Sequence, residues 1–155
     1  MEYIVNSKSP EETESLGERI ALSFKMLPFI GGFIGLSGAL GSGKTTLARG
    51  ILRGLGWEKD VISPTYLIAR YYNDPDVLHV DGYRIVDPFF EFLNLDIERF
   101  MDDGYLIIWE WGDPLKDYLP ETLWVNLEYK GKGRKITVSS KGYLWQEAVK
   151  ILQPT

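Results

Sequence analysis

One stretch, Gly38-Ala39-Leu40-Gly41-Ser42-Gly43-Lys44-Thr45, limits this chain more than any other, because it matches G-x-x-x-x-G-K-[ST] without a gap. Such a loop works between a strand and a helix, and both are written beside it. Phe33-Ile34-Gly35-Leu36-Ser37 reads as a buried strand, and the residues from about Lys44 to Leu55 as a helix ended by Gly56. Gly38, Gly41 and Gly43 let the backbone curl so that successive N–H groups point inward as an anion nest. The helix start adds the positive end of its dipole at the same point. In that arrangement Gly38, Ala39, Leu40, Gly41, Ser42 and Gly43 cradle phosphates, Lys44 reaches the β- and γ-phosphates, and the Thr45 hydroxyl ligates Mg²⁺. A plain glycine turn before a helix is the bland alternative, and the strand–loop–helix setting argues against it. No N-K-x-D stretch is present, so the usual guanine-reading element is missing and ATP is favoured.

The rest of the chain supplies the layers of an α/β fold. Ser9-Pro10-Glu11-Glu12 reads as a helix start, with Ser9 as N-cap, Pro10 at the first position and Glu12 completing a capping box. Leu16, Ile20 and Phe24 give that helix one apolar stripe. Leu67 to Tyr72, Val77 to Asp81 and Tyr105 to Glu110 read as strands, and Asn73 to Asp76 as a turn. Pro88 to Met101 predicts a helix broken around Asn94. Thr122 to Tyr129 and Arg134 to Ser139 flank Lys130-Gly131-Lys132-Gly133 and predict an antiparallel hairpin. A helix over about Tyr143 to Leu152 closes the chain. The expected architecture is a P-loop NTPase-like, mainly parallel sheet flanked by helices, with added antiparallel strands and a C-terminal hairpin. One domain is expected over residues 1–155.

A phosphate loop needs an acid close by to hold the Mg²⁺ shell or orient the attacking water. Parallel strands deliver their C-terminal ends to the ligand crevice, and two strands here end in an acid, Asp81 and Glu110. Both are expected to face the loop. His79 lies two residues before Asp81, on the same side of a strand, and its functional role would be to orient Asp81; packed structure is the plainer reading. Ser63-Pro64-Thr65 carries two hydroxyls where a γ-phosphate-sensing segment can sit, or is simply a turn.

Composition removes other chemistries. The chain has no cysteine and one histidine, which rules out thiolate zinc sites, cysteine nucleophiles and multi-histidine metal centres. A net charge of −5 argues against independent nucleic-acid binding, though not against membership of a complex whose other subunits hold the nucleic acid. The start, Met1-Glu2-Tyr3-Ile4, has no signal-peptide pattern, and the longest apolar run is broken by Pro28 and glycines, so a cytoplasmic protein without a membrane partner is expected.

Taken in order, these elements resemble the TsaE (formerly YjeE) family, the P-loop ATPase of bacterial tRNA threonylcarbamoyladenosine (t6A) synthesis. The resemblance rests on Thr13-x-x-x-Gly17, Gly38 to Thr46, Ser63-Pro64-Thr65-Tyr66, His79-Val80-Asp81-Gly82-Tyr83-Arg84 and Glu110-Trp111. It implies that Gly38 to Thr45 bind ATP phosphates with Thr46 completing the stretch, and that Thr45 and Glu110 hold Mg²⁺. It also implies that Asp81 is needed for activity, that Thr13 lies near the nucleotide, and that Gly133-Arg134 reach it too. Lys44, Asp81 and Glu110 are then the expected catalytic set. Ala39 departs from the family's usual acid, Gly82 from its usual Leu, and Asn94 from a common Gly. The implied function is a partner-dependent ATPase acting with TsaB and TsaD. TsaD transfers the threonylcarbamoyl group to adenosine 37 of tRNAs that read codons beginning with A, and tRNA is contacted through the complex.

Two other classes compete. A small-molecule kinase needs an arginine-bearing lid, and the arginines here are scattered with no lid-sized insertion. A nucleotide-dependent scaffold without hydrolysis is favoured by Ala39. Between Asp87 and Asp103, six acids and one base give a net charge of −5, interleaved with Phe89, Phe90, Phe92, Leu93, Leu95, Ile97 and Phe100. That segment reads as a core-packed broken helix with an acidic outer face, or as a surface steering the protein onto a basic partner.

Overall fold

The computed structural model describes residues 1–61 and 68–154. A seven-stranded sheet runs in the order β1-β7-β6-β2-β5-β4-β3. Its centre is parallel: β2 (Gly32–Gly38) lies between β5 (Leu106–Glu110) and β6 (Thr122–Lys130), and β4 (Val77–Asp81) flanks β5. Antiparallel strands close both edges. β3 (Ala69–Tyr72) pairs with β4, while β7 (Gly133–Lys141) pairs with β6 and with β1 (Glu2–Ser7). The expected fold class is therefore met, hairpin included.

Alternation along the central strands assigns the two cores. Ile34, Leu36, Leu106, Ile108, Leu123 and Val125 face one side, which α1 (Pro10–Met26), α2 (Lys44–Gly54) and α6 (Tyr143–Leu152) cover. Phe33, Leu78, Val80, Ile107, Trp109 and Trp124 face the other, under α3 (Pro88–Asn94), α4 (Ile97–Asp102) and α5 (Leu115–Tyr118). With both faces covered, strands such as β5 are apolar along their whole length, up to the terminal acid.

Local chemistry fixes the ends of these elements. Ser9 Oγ accepts from the Glu12 N–H at 3.1 Å, as the capping pattern predicts. The return bond differs slightly: Glu12 Oε2 accepts from the Lys8 N–H rather than from that of Ser9. The break predicted around Asn94 is real, with Asp96 in the left-handed region separating α3 from α4. Of that segment Phe92 and Ile97 are buried, whereas Phe90 and Leu93 are 60% and 70% exposed. β1 and the one-turn α5 were not expected from the sequence. Leu67, the start of the strand predicted over Leu67 to Tyr72, lies outside the described residues, and β3 begins at Ala69. Gly82 is explained by its neighbours: a Cβ there would stand 2.5 Å from the Glu110 carbonyl oxygen and 3.0 Å from Trp109 Nε1. Asn94, the other departure near this face, is exposed at the end of α3, and nothing in the structure explains it. Among the described residues no helix is long and apolar enough to cross a membrane.

Candidate nucleotide and metal site

The glycine-rich loop leaves the C-terminal end of β2 and enters α2, as its pattern requires. Gly38, Gly41 and Gly43 have φ of 144°, 77° and 110°, conformations that side chains with a Cβ rarely adopt. The Ser42 N–H closes the turn on Ala39 O at 3.1 Å. Gly43 occupies the cap of α2 in place of a side-chain cap, so no side chain blocks the approach to the first turn. Ser42 is fully buried and its Oγ has no hydrogen-bond partner among the described residues. An orphaned hydroxyl inside a loop of this shape fits an anionic ligand that would satisfy it.

Lys44 folds back over the loop. Its Nζ donates to Gly38 O at 2.6 Å and to Ala39 O at 3.0 Å, and lies 4.1 Å from the centre of the Trp111 ring. Burial holds this ammonium below the ordinary lysine range, opposed by the charges of Glu110, Asp81 and Asp113 in that order. Those three acids and the loop lysine thus form one electrostatic cluster at the mouth of the loop. Ala39 contributes its carbonyl to the lysine while its methyl group is exposed, so the site does not depend on an acid there for its own geometry.

The carboxylates arrive as predicted, at the ends of neighbouring parallel strands. Asp81 and Glu110 are paired in register across β4 and β5, and both occupy the α2 face. Asp81 is half-buried and accepts from the Tyr83 N–H at 3.1 Å. Glu110 is buried, and its Oε2 lies 2.6 Å from Nε2 of the fully buried His79. Here the sequence expectation is corrected. His79 does not orient Asp81; it shares the face with Asp81 but reaches across the strand pair to Glu110, two positions ahead of its own register partner Ile108. That bond engages Oε2 and leaves Oε1 to offer a metal. Among the described residues no three His, Cys, Asp or Glu side chains converge as a metal cage. The hard oxygens of Thr45, Glu110 and Asp81 instead suit Mg²⁺, which is commonly held by one or two carboxylates plus phosphate oxygens.

Beside the loop, a cleft of about 200 Å³ is lined by residues that include Thr13, Gly41, Gly43, Thr46, Gly133 and Arg134. The structure therefore brings the loop, the first helix and the hairpin to one cleft. Thr13 is buried and its hydroxyl shares a 2.7 Å hydrogen bond with Ser7. Arg134 donates from Nε to Ser42 O, from Nη1 to Gly133 O and from Nη2 to Gly41 O. Its guanidinium thus braces the loop backbone. Ser63 and Thr65 lie outside the described residues. The sequence reading gave no role to Trp111, Asp113, Tyr129 or Ser7. Trp111 carried a signal, since it directly follows the strand-end acid; it sits at φ 67°, strained for a bulky residue, with its ring against Lys44.

A family model described as threonylcarbamoyl adenosine biosynthesis protein TsaE matches residues 7–136. The chain is 38% identical over 110 residues to the tRNA threonylcarbamoyladenosine biosynthesis protein TsaE of Streptomyces coelicolor, covering 68% of this chain and 71% of that one. It is 36% identical over 138 residues to the corresponding protein of Bacillus subtilis, covering 86% and 83%. The crystal structure of Bacillus subtilis YdiB superposes with a TM-score of 0.78 over 98% of this chain and 94% of the other, at 24% identity.

Proposed function

The chain belongs to the TsaE family, and from that premise we propose that it is a Mg²⁺-dependent ATPase supporting the threonylcarbamoylation of adenosine 37 in tRNA. The observation that carries the reading is the glycine-rich loop between β2 and α2 with Lys44 folded onto its carbonyls, beside the acids Asp81 and Glu110 in register at the ends of neighbouring strands. In this reading the loop N–H groups and the α2 terminus bind the phosphates, and Lys44 moves from the Gly38 and Ala39 carbonyls onto them. Thr45 and Glu110 hold Mg²⁺, which when bound neutralises charge developing on the transferred phosphoryl group. Asp81, next to Glu110 on the same face, orients the attacking water. The cleft beside the loop, on the side of Thr13 and Thr46, takes the nucleoside end.

The transferase step belongs to TsaD with TsaB, and this protein couples its nucleotide cycle to them. An acidic chain agrees with that division, since tRNA contacts then fall to the partners. The test is turnover of ATP with and without TsaB and TsaD. Lys44→Met is expected to lose nucleotide binding while the protein still folds without nucleotide, checked by a cooperative unfolding transition. Glu110→Gln is expected to bind ATP but lose Mg²⁺-dependent turnover. Normal hydrolysis in Glu110→Gln would transfer the metal role to Asp81. A scaffold that never hydrolyses is the second reading, on the strength of Ala39; binding without turnover, even with both partners, would select it.

A further inference from the structure

The loop is held from outside by the hairpin, at three consecutive peptide groups. β6 pairs with β2 up to Leu127 opposite Gly38 and then runs on past the strand end, carrying Tyr129 alongside the loop. Tyr129 donates its hydroxyl to Leu40 O at 2.7 Å. Its register partner on β7 is Arg134, whose guanidinium lies 4.3 Å from the Tyr129 ring centre and donates to Gly41 O at 3.1 Å and Ser42 O at 2.9 Å. Tyr129 and Arg134 therefore act as one stacked cross-strand unit gripping the carbonyls of Leu40, Gly41 and Ser42. In a trans peptide the C=O of one residue and the N–H of the next point opposite ways. Drawing these carbonyls toward the hairpin therefore turns the N–H groups of Gly41 and Gly43 away from it, while that of Ser42 closes the turn on Ala39 O.

We propose that the Tyr129–Arg134 pair is a clasp that preforms the phosphate nest, making both positioning residues for polyphosphate binding. The inference rests on the nucleotide-binding reading and extends it: the loop is set by the hairpin before a ligand arrives. Two features support a preset loop. Glycines at 38, 41 and 43 are intrinsically free to leave these φ values, so something else must fix them. The grip is also close, since a Cβ on Gly41 would stand 2.9 Å from the Tyr129 hydroxyl.

Tyr129→Phe is the decisive variant. It deletes one hydroxyl on a half-exposed residue, keeps the ring under Arg134 and changes no charge. Affinities for ATP and for inorganic tripolyphosphate, which has no nucleoside, are measured by calorimetry with Mg²⁺, alongside amide exchange of Gly41 and Gly43 without ligand. The expected result is about a fivefold loss for both ligands, the size of one net hydrogen bond, with faster exchange at both glycines and an unchanged unfolding midpoint. Arg134→Gln is expected to lose about tenfold or more for both. Unchanged affinity and exchange in Tyr129→Phe would overturn the clasp. So would a loss confined to ATP, because the pair would then be touching the nucleoside. If the wild-type protein binds neither ligand, the nucleotide reading itself fails, a result distinct from either.

Discussion

His79 shows how a single buried hydrogen bond can assign a residue's work. A histidine inside an apolar strand is expected to find partners for its ring nitrogens within the core; here Glu110 meets Nε2, with the two side chains 0% and 4% exposed, while the buried Nδ1 has no partner among the described residues. A metal-ligating carboxylate that is held by a buried partner loses less freedom on coordination, and such outer partners are commonly worth ten- to a hundredfold in metal affinity. His79→Leu keeps the bulk and removes the partner. It is expected to weaken Mg²⁺ affinity about tenfold or more in the nucleotide complex, with metal-free nucleotide affinity changed much less. His79→Gln, whose amide nitrogen can stand near the same place as Nε2, is expected to recover part of the loss. Metal titrations of the two variants, each saturated with nucleotide, check this; equal Mg²⁺ affinity in wild type and His79→Leu would leave His79 a packing residue. The face shared by His79 and Asp81 was legible from strand parity alone. The partner was not, because it depends on how β4 registers against a strand written about thirty residues later.

Between elements, the feature that places the first helix at the site is a seam of glycines. Gly17 on α1 faces the Leu47 carbonyl and Gly50 of α2, Gly50 faces the Glu14 carbonyl, and a Cβ on Gly54 would stand 2.6 Å from Ala21 Cβ. The two helices thus cross with backbone against backbone, which brings Thr13 to the phosphate loop: a Cβ on Gly43 would meet Thr13 Cγ2 at 3.8 Å. Gly17→Ala and Gly50→Ala gain helix propensity, about 1 kcal/mol each, but must push the helices apart. Overpacking of this kind costs about 1–3 kcal/mol and is expected to win. Both variants should unfold at lower temperature than wild type, and in both the displaced Thr13 should weaken ATP binding more than tripolyphosphate binding. Unfolding curves and paired titrations decide it. Most elements could be read from the chain, because capping residues, apolar stripes and the loop pattern are local signals. β1 could not: Glu2–Ser7 is short, half polar and lies at an edge, and what makes it a strand is a distant partner, β7. α5 is too short to show a helical period.

For the molecule as a whole, charge is distributed as unevenly as hydrophobicity is evenly layered. Residues 87–103 carry a net charge of −5, equal to that of the full chain, so the remainder is neutral on balance. The structure divides the apolar residues of that segment. Phe92 and Ile97 enter the core on the face opposite α1 and α2, while Phe89, Phe90 and Leu93 are 41%, 60% and 70% exposed. A core-packed helix with an acidic outer face accounts for the first group and leaves the second unexplained. Exposed apolar side chains amid like charges are the arrangement expected of a surface that meets a basic, apolar-centred partner, with the charge setting the encounter rate. Glu91 and Glu98 lie on α3 and α4, away from Lys44 and the loop, so reversing both to Lys should leave ATP binding intact. Association with the TsaB–TsaD assembly should then slow by about tenfold at low salt, and the two proteins should converge as screening shortens the range of the field. Rapid-mixing association rates across a salt series measure this directly. Equal on-rates at low salt would remove α3 and α4 from the encounter surface, because an acidic field that steers cannot lose two charges, reversed in sign, without the rate recording it.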